Sequence, residues 1–349
     1  MDVGVAIFFV LSGFLLSRAY WARAELEAPS PNLTNYALKR VRRIMPVYVI
    51  TVAAALLLVP DNEGSTIGAW LVSLTLTDTY VHATLPYGLT HMWSLGAEVA
   101  FYALLPFLMW VMIGRHRPSP RRAGFGPVMM VVINISWIAW VVPTISNVTS
   151  WAPNLWLPGY VSWFAAGMWL APVHVRDRDG TFMRVGSGLV QLGRQPGVCW
   201  VAAGGLMLVA STPVAGPVSL EVGSVSEALL KNPVYAAIGF LPVAAGVWAP
   251  PGGGYMRLMG ARLVRHLGHI SYSIFCVHLI VLGLVRERLD YQLFTGDFPR
   301  IWALTAGCTI IVSELLYWLV ERPLLRRSPL GRTTIATQTP TADMASTAR

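Results

Sequence analysis

HMWSLGAEVAFYALLPFLMWVMI, residues 91–113, holds one carboxylate, Glu98, in an otherwise apolar run long enough to cross a bilayer. A soluble protein hides such a segment under a polar exterior. This chain has few residues to make one, since 55% are apolar, 12% are charged and the mean hydropathy is +0.55. The run therefore reads as a membrane span.

Eight further apolar stretches flank it. Together the candidates are 3–17, 45–60, 92–113, 127–148, 155–171, 197–215, 229–249, 269–285 and 301–320. The expected fold is all-α, a polytopic transmembrane helical bundle of about nine spans. The shortest is 155–171, and 229–249 contains Pro233 and Pro242. Proline is tolerated in spans where neighbouring helices satisfy the freed backbone groups. The Thr- and Ser-containing stretch 66–80 is too short to span and is expected at the interface or re-entrant.

Nine spans place successive loops on alternate sides, and the basic residues follow that alternation. Loops 18–44, 114–126, 172–196 and 250–268 and the tail from 321 hold 22 of the 26 Lys and Arg. The other loops hold Lys231, Arg286, Arg288 and Arg300. The positive-inside rule puts the first set, and the C-terminus, in the cytoplasm of a cell-membrane protein. Residue 1 then lies outside, and one further helix before it is expected to return the N-terminus to the cytoplasm. The formal charge of +9 thus reads as orientation rather than nucleic-acid binding. Residues 1–327 read as one membrane domain, and 328–349, polar and Thr- and Ala-rich, as a disordered cytoplasmic tail.

Ionisable groups at membrane depth are costly and are kept for pairing or function. Glu98 shares one helix stripe with His91, Ser94 and Tyr102, at spacings of three, four and four. Base, hydroxyl and carboxylate on one face suit sugar binding or proton transfer. The alternative is a structural carboxylate bonded to neighbouring helices. His278 lies mid-span with Ser271 two turns earlier on its face, as either an interhelical donor or a functional base. Glu314, near Ser313 and Tyr317, reads as structural. The run Lys39-Arg40-Val41-Arg42-Arg43 precedes Met45-Pro46; it reads as an anchor touching anionic lipid or as a clamp for a phosphorylated donor. His174 and Asp179 have a His-x4-Asp spacing that chance alone supplies easily in a charged loop. Cys199, Cys276 and Cys308 have no metal or redox spacing, and no metal site, P-loop, dinucleotide fingerprint or HExxH is present.

Five stretches in order resemble the acyltransferase-3 family of membrane O-acyltransferases. They are the helix around Phe8-Phe9-Val10-Leu11-Ser12-Gly13-Phe14, the Arg40-x-x-Arg43 motif, and His91-Met92-Trp93-Ser94-Leu95-x-x-Glu98-x-x-Phe101-Tyr102. Leu267-Gly268-x-Ile270-Ser271-Tyr272-Ser273 running on to His278, and Glu321-Arg322-Pro323, complete them. The resemblance implies about ten spans and transfer of an acyl group, often acetyl, from cytoplasmic acyl-CoA. Acceptors would be hydroxyls of extracytoplasmic glycans, glycolipids or glycosylated metabolites. No permanently bound cofactor is implied; the expected partners are the lipid bilayer, acyl-CoA and the carbohydrate. Glu98, Ser94 and His91 become the catalytic candidates, and Arg40 and Arg43 the candidates for CoA phosphates through bidentate contacts. Ser12, Gly13, Trp93, Tyr102, Ser271, Tyr272 and His278 are further motif positions. The family's first helix carries an arginine and a histidine thought to be central to transfer. Nothing here matches that motif, so its role passes to neither His91 nor His278. The chain reads as ten spans minus the first. A glycan transporter or flippase, and a truncated inactive homologue, are the alternative readings.

Overall fold

The computed structural model describes residues 3–81, 84–114, 120–149, 151–176, 185–212, 224–290 and 296–326. In chain order the helices are α1 Val3–Glu25, α2 Leu33–Leu58, α3 Ile67–Leu74, α4 Asp78–Val81, α5 Trp93–Ile113, α6 Pro120–Ser136, α7 Val142–Val148 and α8 Val161–Arg176. There follow α9 Val185–Gly193, α10 Pro196–Ala210, α11 Val225–Trp248, α12 Gly254–Met259, α13 Arg262–Arg288, α14 Phe298–Leu316 and α15 Arg322–Arg326. The described residues form no strand. The protein is an all-α polytopic bundle.

Seven stretches are long and apolar enough to cross a membrane: Val3–Glu25, Leu33–Leu58, Thr90–Ile113, Ala123–Val148, Val225–Trp248, Arg262–Arg288 and Phe298–Arg326. Two shorter apolar helices, Val161–Val175 and Pro196–Ala210, occupy the places of the fifth and sixth expected spans. Wider turns at Trp137–Val141 and Tyr317–Glu321 join α6 to α7 and α14 to α15 without breaking either run. The outward face is apolar: Val128, Val131, Val132, Ile133 and Ile135 on α6 and Leu315 and Leu319 at the chain's end are all exposed. Such a surface is stable only in hydrocarbon. Two short helices, α3 and α4, fill the stretch expected to be interfacial or re-entrant. The Tyr48 hydroxyl donates to the Ser73 carbonyl and so ties α3 to α2.

One expected loop is corrected. Residues 18–44 were expected outside the spans, but α1 runs on to Glu25 and α2 begins at Leu33. Asn32 caps α2 by accepting a bond from the Asn35 N–H at 3.0 Å. Arg40 and Arg43 therefore sit on a helix. The motif favours this: amphipathic basic residues belong to the first turns of a span, where their stems pack and their heads reach the interface. The proposed tail, 328–349, and Asp179 lie outside the described residues, although His174 is described and packs on Phe14.

The core is a set of parallel helices: α1, α5, α8 and α11. Phe9 stacks on Phe164 with ring centroids 4.3 Å apart, and Phe164 on Phe101 at 4.0 Å. Glycines let the backbones approach. A β-carbon on Gly13 would lie 2.3 Å from the Phe164 carbonyl oxygen, and one on Gly167 would lie 1.9 Å from that of Val10. Close packing through small residues is what holds helices together in lipid, where burying apolar surface yields little. A polar tie crosses the same bundle. Asn232 on α11 accepts from the Ser162 hydroxyl at 2.8 Å and donates to the Gly159 carbonyl at 2.8 Å, while the Trp163 indole donates to the Asn232 carbonyl. Helices α2 and α13 form a second layer, joined by the Tyr272 hydroxyl donating to the Ile44 carbonyl at 2.8 Å.

Candidate active site

Glu98 lies where the two layers meet. It enters α5 just over a turn after Trp93, and only 2% of it is exposed. Its Oε1 accepts bonds from the Ser12 hydroxyl of α1, at 3.2 Å, and from the Tyr102 hydroxyl one turn along α5. Of the stripe expected from the sequence, Glu98 and Tyr102 meet on α5, whereas His91 lies in the turn Thr90–Met92 before that helix and Ser94 does not reach the carboxylate. Its hydroxyl donates back to the His91 carbonyl at 3.0 Å and steadies the start of the helix.

A cavity of about 450 Å³ opens beside Glu98, the size of a small ligand site. Ser12, Arg40, Arg43, Ser94, Glu98, Tyr102, Ser271 and Tyr272 all line it. Eight of the twelve residues singled out in the sequence therefore converge from α1, α2, α5 and α13. Arg40 and Arg43 reach it because a spacing of three on a helix puts both on one face. Arg40 lies over the rings of Tyr102 and Tyr36, with its guanidinium carbon 5.2 and 5.8 Å from their centroids. Its Nε is buried without a hydrogen-bond partner. Tyr36 fixes the arrangement by donating to the Tyr102 carbonyl at 3.1 Å.

Arg40, Ile44 and Tyr102 also line a larger, mostly apolar cavity of about 850 Å³ that extends to Tyr20, Pro31 and Gly114 at the Arg40 end of the bundle. The two spaces are separated by little more than the Arg40 and Tyr102 side chains. A carboxylate flanked by two guanidinium groups and several hydroxyls can hold an anionic ligand and accept a proton from an alcohol in the same enclosure.

Four candidates fall elsewhere. Gly13 serves the α1–α8 approach, and the Trp93 ring packs at a tilt against Tyr160 in the core. His91 and His278 do not line the cavity. Their rings face each other at 4.6 Å, with Phe275 against His91 at 4.8 Å, and both nitrogens of His91 are buried without a hydrogen-bond partner. The His278 Nδ1 lies 2.7 Å from the Phe275 carbonyl. Ser271, two turns before His278 on α13, donates to the Gly268 carbonyl at 2.9 Å.

Some polar ties between helices went unseen in the sequence. Glu314 pairs with His266, and Glu321 accepts a bond from Ser273. Both pairs join α13 to the last span, and two of the quoted motifs, Ser271-Tyr272-Ser273 and Glu321-Arg322-Pro323, hold the second of them. Tyr36 carried no motif signal. Among the described residues no three His, Cys, Asp or Glu side chains are placed to hold a metal ion.

Comparison with known proteins assigns the class. Residues 1–318 match the model of the acyltransferase-3 family, described as an acyltransferase domain, and the chain belongs to that family. It is similar to the peptidoglycan O-acetyltransferase OatA of Listeria monocytogenes, with 24% identity over 92% of this chain and 51% of that protein. It is also similar to the exopolysaccharide production protein ExoZ of Rhizobium meliloti, with 26% identity over 95% of this chain and 92% of that protein. The chain thus spans about half the length of the first of these relatives and most of the second. No solved structure matches. The protein is a multi-pass membrane member of an acyltransferase family.

Proposed function

We propose that the chain transfers an acyl group, acetyl by preference, from acyl-CoA to a hydroxyl of a cell-envelope polysaccharide or glycolipid. The observation that carries this reading is the meeting of Glu98, Arg40 and Arg43 around one cavity that adjoins a larger one at the Arg40 end. The concentration of basic residues at that end supports placing it, and the C-terminus, in the cytoplasm, where acyl-CoA is made.

In this reading the CoA phosphates meet the basic residues at the mouth and the thioester lies by Arg40 and Glu98. The acceptor hydroxyl gives its proton to the Glu98 carboxylate as its oxygen attacks the thioester carbonyl. The buried Arg40 Nε–H is free to donate to the oxyanion that forms. The C–S bond then breaks, the CoA thiolate takes the proton back from Glu98 and so restores the carboxylate, and the ester and CoA leave. Ser12 and Tyr102 position the carboxylate and do not meet the reacting atoms.

A transporter or flippase is the second reading, favoured by the series of cavities that share lining residues along the bundle. Radiolabelled acetyl-CoA decides between them. Purified protein supplied with acceptor glycan is expected to release CoA and label the glycan. Glycan crossing a vesicle wall with no consumption of acetyl-CoA would establish the transporter instead.

A further inference from the structure

The last span does not end as a plain α-helix. Thr309 and Ser313 on α14 face inward, and Glu321, only 8% exposed, is buried as well. In an unbroken α-helix, at about 100° per residue, Glu321 would face about 120° away from Thr309. The wide turn Tyr317–Glu321, closed by the Arg322 N–H donating to the Tyr317 carbonyl, takes up that rotation and keeps Glu321 against the bundle. One-turn widenings of this kind recur at functional sites.

A buried carboxylate here is costly unless it is paired. Glu321 accepts from the Ser273 hydroxyl of α13. The neighbouring Arg322 is turned onto the Trp318 ring, its guanidinium carbon 3.7 Å from the centroid. The cation whose charge Glu321 feels is Arg43 of α2, and the same Arg43 acts on Glu98. Helix α2 packs against both the wide turn and α15, which brings Arg43 and Glu321 into range.

Two consecutive residues of α13 hold this junction. Tyr272 lines the Glu98 cavity and donates to the carbonyl of Ile44, the residue after Arg43, while Ser273 holds Glu321. Arg43 needs such a brace. Arg40 lies over two rings, but Arg43 is exposed on α2. An unbraced arginine near the end of a span carries its head out toward water and anionic headgroups. A carboxylate fixed on the bundle side turns it inward.

We propose that Glu321 is a positioning residue: it holds the Arg43 guanidinium toward the Glu98 cavity, where Arg43 grips a phosphate of the donor, and itself meets neither substrate. The donor role of Arg43 rests on the acyltransferase reading. The sign of the effect separates a brace from a mere neighbouring charge. A carboxylate repels phosphate, so removing one that only stood nearby would tighten binding of a phosphorylated ligand. Removing a brace loosens it.

Isothermal titration of the whole chain in detergent, with CoA as the probe, reads that sign. Glu321→Gln is isosteric and its carbonyl still accepts from Ser273, so the unfolding transition should stay near that of wild type. Its Kd for CoA should rise about tenfold, the scale of one charge-assisted contact. In an Arg43→Gln background, itself weaker, the same change should have no further effect. Ser273→Ala, which frees the carboxylate without removing its charge, should weaken CoA binding several-fold. With acetyl-CoA as substrate, KM should rise with Kd while kcat holds. Unchanged or tighter CoA binding by Glu321→Gln, or by Ser273→Ala should the first variant not fold, overturns the proposal. So does equal weakening in both backgrounds, which would mark Glu321 as structural, and so does a wild type that binds no CoA. Acetyl-CoA consumption is measured alongside. CoA binding as expected with no consumption refutes the acyltransferase reading and leaves the positioning role; consumption with CoA binding untouched by Glu321→Gln does the reverse.

Discussion

Replacing Glu98 by Gln separates a catalytic carboxylate from a structural one. Glutamine is isosteric, and its carbonyl oxygen can still accept from the Ser12 and Tyr102 hydroxyls that hold Glu98. The buried network therefore keeps its bonds, and thermal stability in detergent should change by less than about 1.5 kcal/mol. What is lost is the capacity to take a proton. A positioned base contributes about 10²- to 10⁴-fold to such a step, so kcat should fall by about that factor with little change in KM for acyl-CoA. Glu98→Ala would confuse the two effects, since it strands two hydroxyls at about 1–3 kcal/mol each. The assay is release of CoA from acetyl-CoA with acceptor present, read beside the unfolding transition of each variant. A folded Glu98→Gln protein with wild-type kcat would refute the assignment. A variant that loses activity only by unfolding would show that the carboxylate is structural.

Arg40→Ala should raise KM for acyl-CoA about tenfold or more, and Arg40→Lys should restore little, because an ammonium cannot stack between Tyr36 and Tyr102 or offer the same planar donors. Unaltered KM in the alanine variant contradicts a donor role. Gly167→Ala should destabilise the fold by at least about 1–3 kcal/mol, since its β-carbon meets the Val10 carbonyl and α1 must shift away from α8; the unfolding transition measures it. Asn62→Ala should cost about 1–3 kcal/mol for each buried group left unpaired. Asn62 donates to the Ala55 and Tyr87 carbonyls, both at 2.9 Å, and accepts from the Tyr87 N–H at 3.0 Å. Hydrogen exchange should quicken in the loop leading to His91 in that variant, and unchanged protection there would count against the tie.

The membrane class was legible from the sequence because hydrocarbon imposes a rule on composition alone. A span needs a long apolar run, and 91–113, 269–285 and 301–320 each announce one. The stripe through Glu98 and Tyr102 was legible too, since helix periodicity places side chains four apart on one face. Helix ends were less legible. Lys39 to Arg43 looked like loop because charge outweighs propensity in a hydropathy reading, whereas the Asn32 cap starts α2 well before the apolar part begins.

Tertiary structure alone decided which faces meet. Nothing local in residues 12, 40, 98 and 272 says that they share a cavity, because the parallel alignment of α1 and α5 and the pairing of α2 with α13 come from contacts far apart in the chain. The glycine approach of α1 to α8 brings Ser12 to Glu98, and the Tyr272 bond to the Ile44 carbonyl sets Arg43 beside them. The same packing turned His91 and His278 toward each other and away from the cavity. Sequence by itself determined that these helices belong in a membrane and which of their residues are costly there. Only close packing between helices, which depends on shape at many distant positions at once, determined which of those residues stand together.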